Sequence, residues 1–100
     1  MPSALPDGWT EKDNALVRTV QRTDFVEALA YVLAVGELAE AANHHPDIDI
    51  RYNKVHFSLS THDAGHKVTA KDFALAQKIN DLNENAIRLS RDDLRRQFQA

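Results

Sequence analysis

Three histidines stand at two points of the sequence where regular secondary structure should end. His44 and His45 are adjacent and precede Pro46, and His62 follows a strand-like segment further along the chain. An imidazole has an unperturbed pKa of about 6.5, so it can both donate and accept a proton near neutral pH. A single histidine at a helix C-terminus is more often a cap or a surface residue. Three of them together indicate acid–base chemistry.

A long apolar helix should lead to the histidine pair. Asp24 and Glu27 have the spacing of a capping box, and apolar residues then recur at steps of three and four. Pro46 disfavours a helical conformation in the residue before it, so the helix should end near residues 43–45. Adjacent helical residues differ by about 100° in direction, which predicts separate roles for the two histidines unless the helix end unwinds. Gly36 on the apolar face predicts close approach of another backbone, such as a strand.

Strand patterns lie on both sides of this helix. Residues 16–22 are rich in β-branched side chains, whereas 48–52 and 55–62 alternate between apolar and polar residues. The turn-like residues 53–54 predict a hairpin between the last two strands. Residues 1–14 carry two prolines and a glycine and are predicted to form a loop.

A second helix and a helical tail complete the predicted fold. Thr69 and Asp72 repeat the capping spacing at the start of the second helix. Residues 84–100 predict a short, locally basic C-terminal helical extension. The order of elements predicts an α+β fold for one domain over residues 1–100: an antiparallel sheet of about four strands with two main helices on one face.

Composition excludes several classes of protein. A chain of 100 residues with 43% hydrophobic and 27% charged residues is an ordinary globular domain. The net charge of -3 argues against non-specific nucleic-acid binding, and the lack of cysteine excludes disulfides and thiolate metal sites. The segment 1–6 has no basic start and no apolar stretch typical of a secretory signal, and no run is long enough to span a membrane. We therefore expect a cytoplasmic protein with no membrane contact.

Five short motifs have a combined spacing that is specific to one family. They are Gly8-Trp9, Thr23-Asp24-Phe25, Glu40-x-x-x-His44-His45-Pro46, Tyr52-Asn-Lys-Val-His56 and Leu59-Ser-Thr-His-Asp63. Together they resemble the signature of the pterin-4a-carbinolamine dehydratases, and the resemblance runs from about Gly8 to Asp81.

The resemblance implies a dehydratase that acts on 4a-hydroxytetrahydropterin. Loss of water across the C4a–N5 bond gives quinonoid dihydropterin and recycles the tetrahydropterin, without a metal or another cofactor. In the family the first histidine of the pair and the later histidine act in acid–base catalysis, which here implies His44 and His62. Further active-site positions, assigned to substrate binding, match His45, Glu40, Trp9 and Asp72.

The resemblance also implies partners. Family members form homodimers or homotetramers, and animal members are dimerisation partners of a homeodomain transcription factor. An aromatic amino-acid hydroxylase pathway is one candidate partner, and the sequence leaves the pathway open. The free edge of a small antiparallel sheet would be a natural association surface. A protein-interaction role on the same fold is therefore the alternative to catalysis.

The chain departs from the family pattern in three places. Residues 64–66 stand where a paired glycine is usual, with an apparent insertion of one residue. Arg22 stands where an aromatic residue is common, and the tail after about Asn83 extends beyond the usual end. We expect His56 and His66 to be structural or surface residues.

A zinc site is a rival interpretation of the histidines. His62 and His66 have the spacing of two ligands on a helix, and His44 could complete a set of three. Against this interpretation, Gly65 indicates a loop rather than a helix between the two candidate ligands.

Overall fold

The fold consists of an antiparallel sheet with helices packed on it, as shown by a computed structural model that describes residues 5–98. Its strands are β1 (Thr10–Lys12), β2 (Ala15–Gln21), β3 (Asp47–Arg51) and β4 (Lys54–Leu59), in the spatial order β1-β2-β4-β3. Its helices are α1 (Phe25–Ala42), α2 (Ala70–Asn80) and α3 (Glu84–Phe98), with a 3₁₀ turn at His62–Ala64. The predicted α+β fold is confirmed. The outer ends of the predicted domain, residues 1–4 and 99–100, lie outside the described part.

The strand register places apolar residues on the face that the helices cover. Leu16 lies opposite Leu59, and both are fully buried. Val55 and Phe57, also fully buried, are paired on their other side with Ile50 and Ile48 of β3. The alternate residues of the strands form the opposite face, which is polar; Thr19, His56 and Asp49 form one row across it. No helix within residues 5–98 has the length and apolar character needed to cross a membrane.

The hairpin formed by β1 and β2 was not predicted from the sequence. Residues 1–14 were predicted to form a loop, but Thr10–Lys12 pair with β2, so that prediction was wrong for this segment. Asp13 and Asn14 make the connecting turn, with φ values of 52° and 63°. Two consecutive residues with positive φ are typical of the two-residue hairpin turn whose twist matches that of the strands.

Helix α1 is buried on two sides. Asp24 caps it by accepting a hydrogen bond from the Glu27 backbone N–H at 2.9 Å, as the sequence predicted. Its buried residues include Tyr31 and Val35, and it contacts the sheet, α2 and α3. The expectation that a strand approaches Gly36 was wrong, because a Cβ at Gly36 would meet nothing within 4 Å.

The C-terminal tail forms a helix of 15 residues that packs on α1, longer than the predicted short extension. Ion pairs hold its first half. Arg22, at the end of β2, donates to Glu84 at 2.8 Å and lies 5.2 Å from the Tyr31 ring. Arg91 donates to Glu27 at 2.9 Å. The two arginines therefore connect α3 to the end of β2 and to the start of α1.

Neutralising Glu27 should loosen α3. Glu27 is only 15% exposed and is the shared counterion of Arg22, at 3.5 Å, and Arg91. We expect Glu27→Gln to lower the free energy of unfolding by about 1–2 kcal/mol, between the values for surface and buried charged pairs. Amide hydrogen exchange should accelerate in α3 more than in α2. Glu37→Gln, at an exposed position of the same helix, is the control; equal stability of the two variants would contradict the prediction.

The ion pair between Arg22 and Glu84 should make the packing of α3 depend on pH. The hydrogen bond from Arg22 lowers the pKa of Glu84 below its ordinary value of 4.5. A lowered pKa in the folded state means that the stabilisation is present above the ordinary pKa and is lost as the pH falls through the folded-state value. The contact between the end of β2 and the start of α3 should therefore weaken as the pH falls below the ordinary pKa of 4.5.

Candidate active site

Both histidines of the pair lie just after the end of α1. Asn43 has a left-handed conformation with φ of 50°, its N–H donates to the Glu40 carbonyl, and the N–H of His44 donates to the Ala39 carbonyl, both at 3.1 Å. This pair of bonds satisfies the last carbonyls of the helix and reverses the chain. The directions of His44 and His45 are therefore set by the turn and not by helical geometry. The sequence signal for this end was Asn43 as well as Pro46.

The third histidine reaches the same place from the end of β4. His62 begins the 3₁₀ turn that follows the strand. It shares with His44 and His45 a pocket of about 220 Å³. The other lining residues are Asn43, Ser60, Thr61, Asp63 and Lys71. The structure thus brings together the three histidines that the sequence singled out, and it adds Thr61 and Lys71, neither of which was predicted as a site residue.

A buried carboxylate holds His44. Asp72 is fully buried, and its Oδ1 lies 2.5 Å from Nε2 of His44, whose side chain is 11% exposed. The other oxygen, Oδ2, accepts hydrogen bonds of 2.8 Å from the Thr61 hydroxyl and the Thr69 backbone N–H. An ionised carboxylate can only accept hydrogen bonds, so Nε2 carries the proton and Nδ1 is the ring nitrogen left for chemistry.

The family resemblance implied that Asp72 binds the substrate, but its side chain lies behind His44 and not at the pocket wall. It closes the capping box of α2 with Thr69, as the sequence predicted, and from there it supports His44. It is not among the residues that line the pocket. Contact with a substrate would have to pass through His44, which lies between the carboxylate and the pocket.

Glu40 contacts His45 on the solvent side. The His45 Nε2 is within hydrogen-bond distance of a Glu40 carboxylate oxygen, and the two side chains are 57% and 78% exposed. An exposed pair of this kind contributes at most about 1 kcal/mol to stability. His45 is thus paired with an exposed carboxylate, whereas His44 is held by a buried one.

Trp9 does not line the histidine pocket. It is 3% exposed, packs on Phe57 at 6.1 Å between ring centroids, and donates its indole N–H to Asn80 Oδ1 at 2.9 Å. Asn80 also accepts from Arg18 and donates to the Asp7 carbonyl at 3.0 Å. A larger cavity of about 690 Å³ lies beside these groups, but its Arg18 and Asn80 make structural contacts and no histidine lines it.

His66 lies beside His62. Their ring centroids are 4.5 Å apart, and both residues belong to the exposed loop that follows β4. Gly65 and His66 both have positive φ, 77° and 59°, which turns the chain back on itself. Within the described residues, no group of three or more histidine or acidic side chains is arranged to hold a metal ion.

Comparison with known proteins places the chain in a family. Residues 2–82 match the family model for pterin 4 alpha carbinolamine dehydratase. Proteins from Chloroflexus aggregans and Thermomicrobium roseum, each named "Putative pterin-4-alpha-carbinolamine dehydratase", are 54% and 55% identical over 77 and 75 residues. These alignments cover 77% and 75% of this chain and 81% and 80% of the relatives.

A solved structure agrees with the sequence comparison. The crystal structure of a transcriptional coactivator/pterin dehydratase from Brucella melitensis superposes with a TM-score of 0.69 at 34% identity, covering 74% of this chain and 80% of that one. Helix α3 lies beyond the residues that the family model matches. The fold, the histidine motifs and the relatives agree: the chain belongs to the pterin 4 alpha carbinolamine dehydratase family.

Proposed function

We propose that this protein removes water from 4a-hydroxytetrahydropterin to give quinonoid dihydropterin, with histidines as the acid and the base. The observation that carries the proposal is the pocket in which His44, His45 and His62 meet, with His44 fixed by a buried carboxylate. The family membership and the names of the relatives supply the substrate class.

The reaction needs two proton transfers. The hydroxyl on C4a must receive a proton to leave as water, and N5 must lose its proton as the C4a–N5 double bond forms. His44 suits the base, because Asp72 behind it stabilises the imidazolium that forms when Nδ1 takes the N5 proton. His62 lines the same pocket from the end of β4 and suits the acid that protonates the hydroxyl.

His45 is expected to bind the substrate rather than to transfer protons. Its exposed ring has no buried carboxylate behind it, so it can donate or accept a hydrogen bond at the pocket rim. His45→Ala should raise KM about 10-fold, the equivalent of one hydrogen bond of about 1.4 kcal/mol, with little change in kcat. Glu40→Gln, which leaves the ring in place, is the control and should change KM less. A fall in kcat with constant KM would contradict this role.

The test of the function is turnover of synthetic 4a-hydroxytetrahydropterin. The substrate dehydrates spontaneously, so the measured quantity is the rate with protein minus the rate without it, followed by absorbance in a stopped-flow instrument. We expect acceleration that is proportional to protein concentration. No rate above the spontaneous one would refute the enzymatic proposal.

The alternative is a protein-interaction role, which the name of the Brucella melitensis protein includes. In this chain β3 is paired on one side by β4, and its other edge is a free surface among the described strands. A homodimer or homotetramer, a connection to an aromatic amino-acid hydroxylase pathway and a cytoplasmic location all stay predictions. The turnover assay separates the two roles, since an interaction protein need not accelerate the dehydration.

A further inference from the structure

Thr61 makes hydrogen bonds that affect both proposed catalytic histidines. Its side chain bonds to Asp72, which holds His44, and its backbone bonds to the turn that contains His62. It lies between β4 and the 3₁₀ turn, and its residue is only 6% exposed although its neighbour His62 is exposed. Its hydroxyl lies 2.8 Å from Asp72 Oδ2 and 2.6 Å from the Thr69 hydroxyl. A buried hydroxyl with two polar partners is fixed in orientation, because each of its bonds constrains the other.

The directions of these hydrogen bonds follow from the number of protons. Thr61 has one hydroxyl proton, and the carboxylate of Asp72 can only accept, so Thr61 donates to Asp72. The Thr69 hydroxyl must then donate to Thr61, and it accepts in turn from the Lys71 backbone N–H at 3.3 Å. One directed chain of hydrogen bonds therefore runs from the start of α2 through Thr61 to Asp72, whose second oxygen holds His44.

The backbone of Thr61 closes the loop that carries His62. Its N–H donates to the Lys67 carbonyl at 2.8 Å, and its carbonyl accepts from the N–H groups of Ala64 and His66, both at 3.1 Å. All three hydrogen bonds join Thr61 to residues 64–67 of the loop. The position of the His62 backbone thus depends on the same residue whose side chain orients Asp72.

We propose that Thr61 is a positioning residue that sets His44 and His62 relative to one another. The proposal rests on the proposed function, because the two histidines have their roles from it. The side chain acts through Asp72 on the ring of His44, and the backbone acts on the turn of His62. Acid–base groups must stay within about 0.5 Å and 10–20° of the productive geometry, so a loss of either constraint lowers the rate.

The test compares Thr61→Val with Thr61→Ser. Valine keeps the shape but removes the hydroxyl, which leaves Asp72 Oδ2 with the Thr69 N–H alone and the Thr69 hydroxyl without its acceptor. We expect kcat to fall about 10–100-fold with KM changed less than about 3-fold, as for the loss of groups that orient a catalytic histidine. Serine keeps the hydroxyl and should restore kcat to within about 3-fold of the wild type.

A second readout does not depend on activity. In protein with ¹⁵N-labelled histidine, the proton on Nε2 of His44 should give a downfield NMR resonance protected from solvent exchange by Asp72. Thr61→Val should shift this resonance and accelerate its exchange, and Thr61→Ser should preserve it. Ile87→Ala is the control for a loss of stability, because Ile87 is buried in α3 and does not line the pocket; it should leave kcat and the resonance unchanged.

The outcomes separate this proposal from the function on which it rests. Wild-type protein without turnover refutes the proposed function, and the resonance then still decides whether Thr61 orients His44. An unchanged resonance in Thr61→Val overturns the proposal. A Thr61→Val variant that loses stability but keeps the wild-type kcat also overturns it, because Thr61 is then only structural.

Discussion

His44→Ala is expected to lower kcat for the dehydration by about 10²–10⁴-fold, the usual contribution of a positioned general acid or base. The physical reason is that, among the histidines that line the pocket in the described chain, only His44 is bonded to a buried carboxylate, which stabilises the positive charge that the ring gains. KM should change little, because the lost interaction develops only in the transition state. Steady-state kinetics above the spontaneous rate measure both constants.

His62→Ala should lower kcat by a similar factor if it is the acid. Two matched controls exist in the chain. His66→Ala removes the ring that lies beside His62, and His56→Ala removes an exposed ring that bonds to Thr19 on the other face of the sheet. Both should leave kcat within about 3-fold of the wild type. If His66→Ala were as damaging as His62→Ala, the assignment within the loop would be wrong.

Asp72→Ala is expected to cause the largest loss of stability, about 3–5 kcal/mol, as for removal of one partner of a buried charged group. The change takes away the acceptor of three hydrogen bonds and half of the α2 capping box. It leaves the buried Thr61 hydroxyl and the His44 ring without their acceptor. Urea denaturation at constant pH measures the free energy of unfolding.

The control for this experiment is an aspartate in an exposed ion pair. Asp49 pairs with Arg51 at 3.3 Å, and the two side chains are 56% and 80% exposed. Asp49→Ala should cost at most about 1 kcal/mol. Equal losses for the two variants would mean that the Asp72 network does not stabilise the fold. An Asp72→Ala protein that folds at low temperature should also show reduced kcat, because the His44 ring is no longer held.

Local patterns in the sequence were sufficient to predict most of the helices and strands. The alternation in residues 48–52 and 55–62 predicted β3 within one residue at each end and the start of β4, but β4 ends at Leu59, three residues before the predicted end. Asp24 and Thr69 correctly marked the N-caps of α1 and α2. The short β1 was not predicted. Its three residues are all exposed, so they carry no apolar alternation, and the only signal was the turn pair Asp13–Asn14.

The tail shows why length and packing were harder to predict than helicity. Residues 84–100 were predicted to form a short helical extension, but not a helix that runs 15 residues along α1. That contact includes the ion pair between Glu27 and Arg91, which are far apart in the sequence. Pairing between distant charges leaves no periodic signal in either segment.

The sequence by itself determined the identities and spacing of His44, His45 and His62 and the ends of the elements that carry them. Those features are local, since a cap, a proline or a strand alternation acts within a few residues. Only the tertiary structure decided that the three rings meet in one pocket, that Trp9 lies outside it, and that Asp72 lies behind His44. The difference arises because Asp72 meets its partners Thr61 and His44 only when α2 packs beside the ends of β4 and α1.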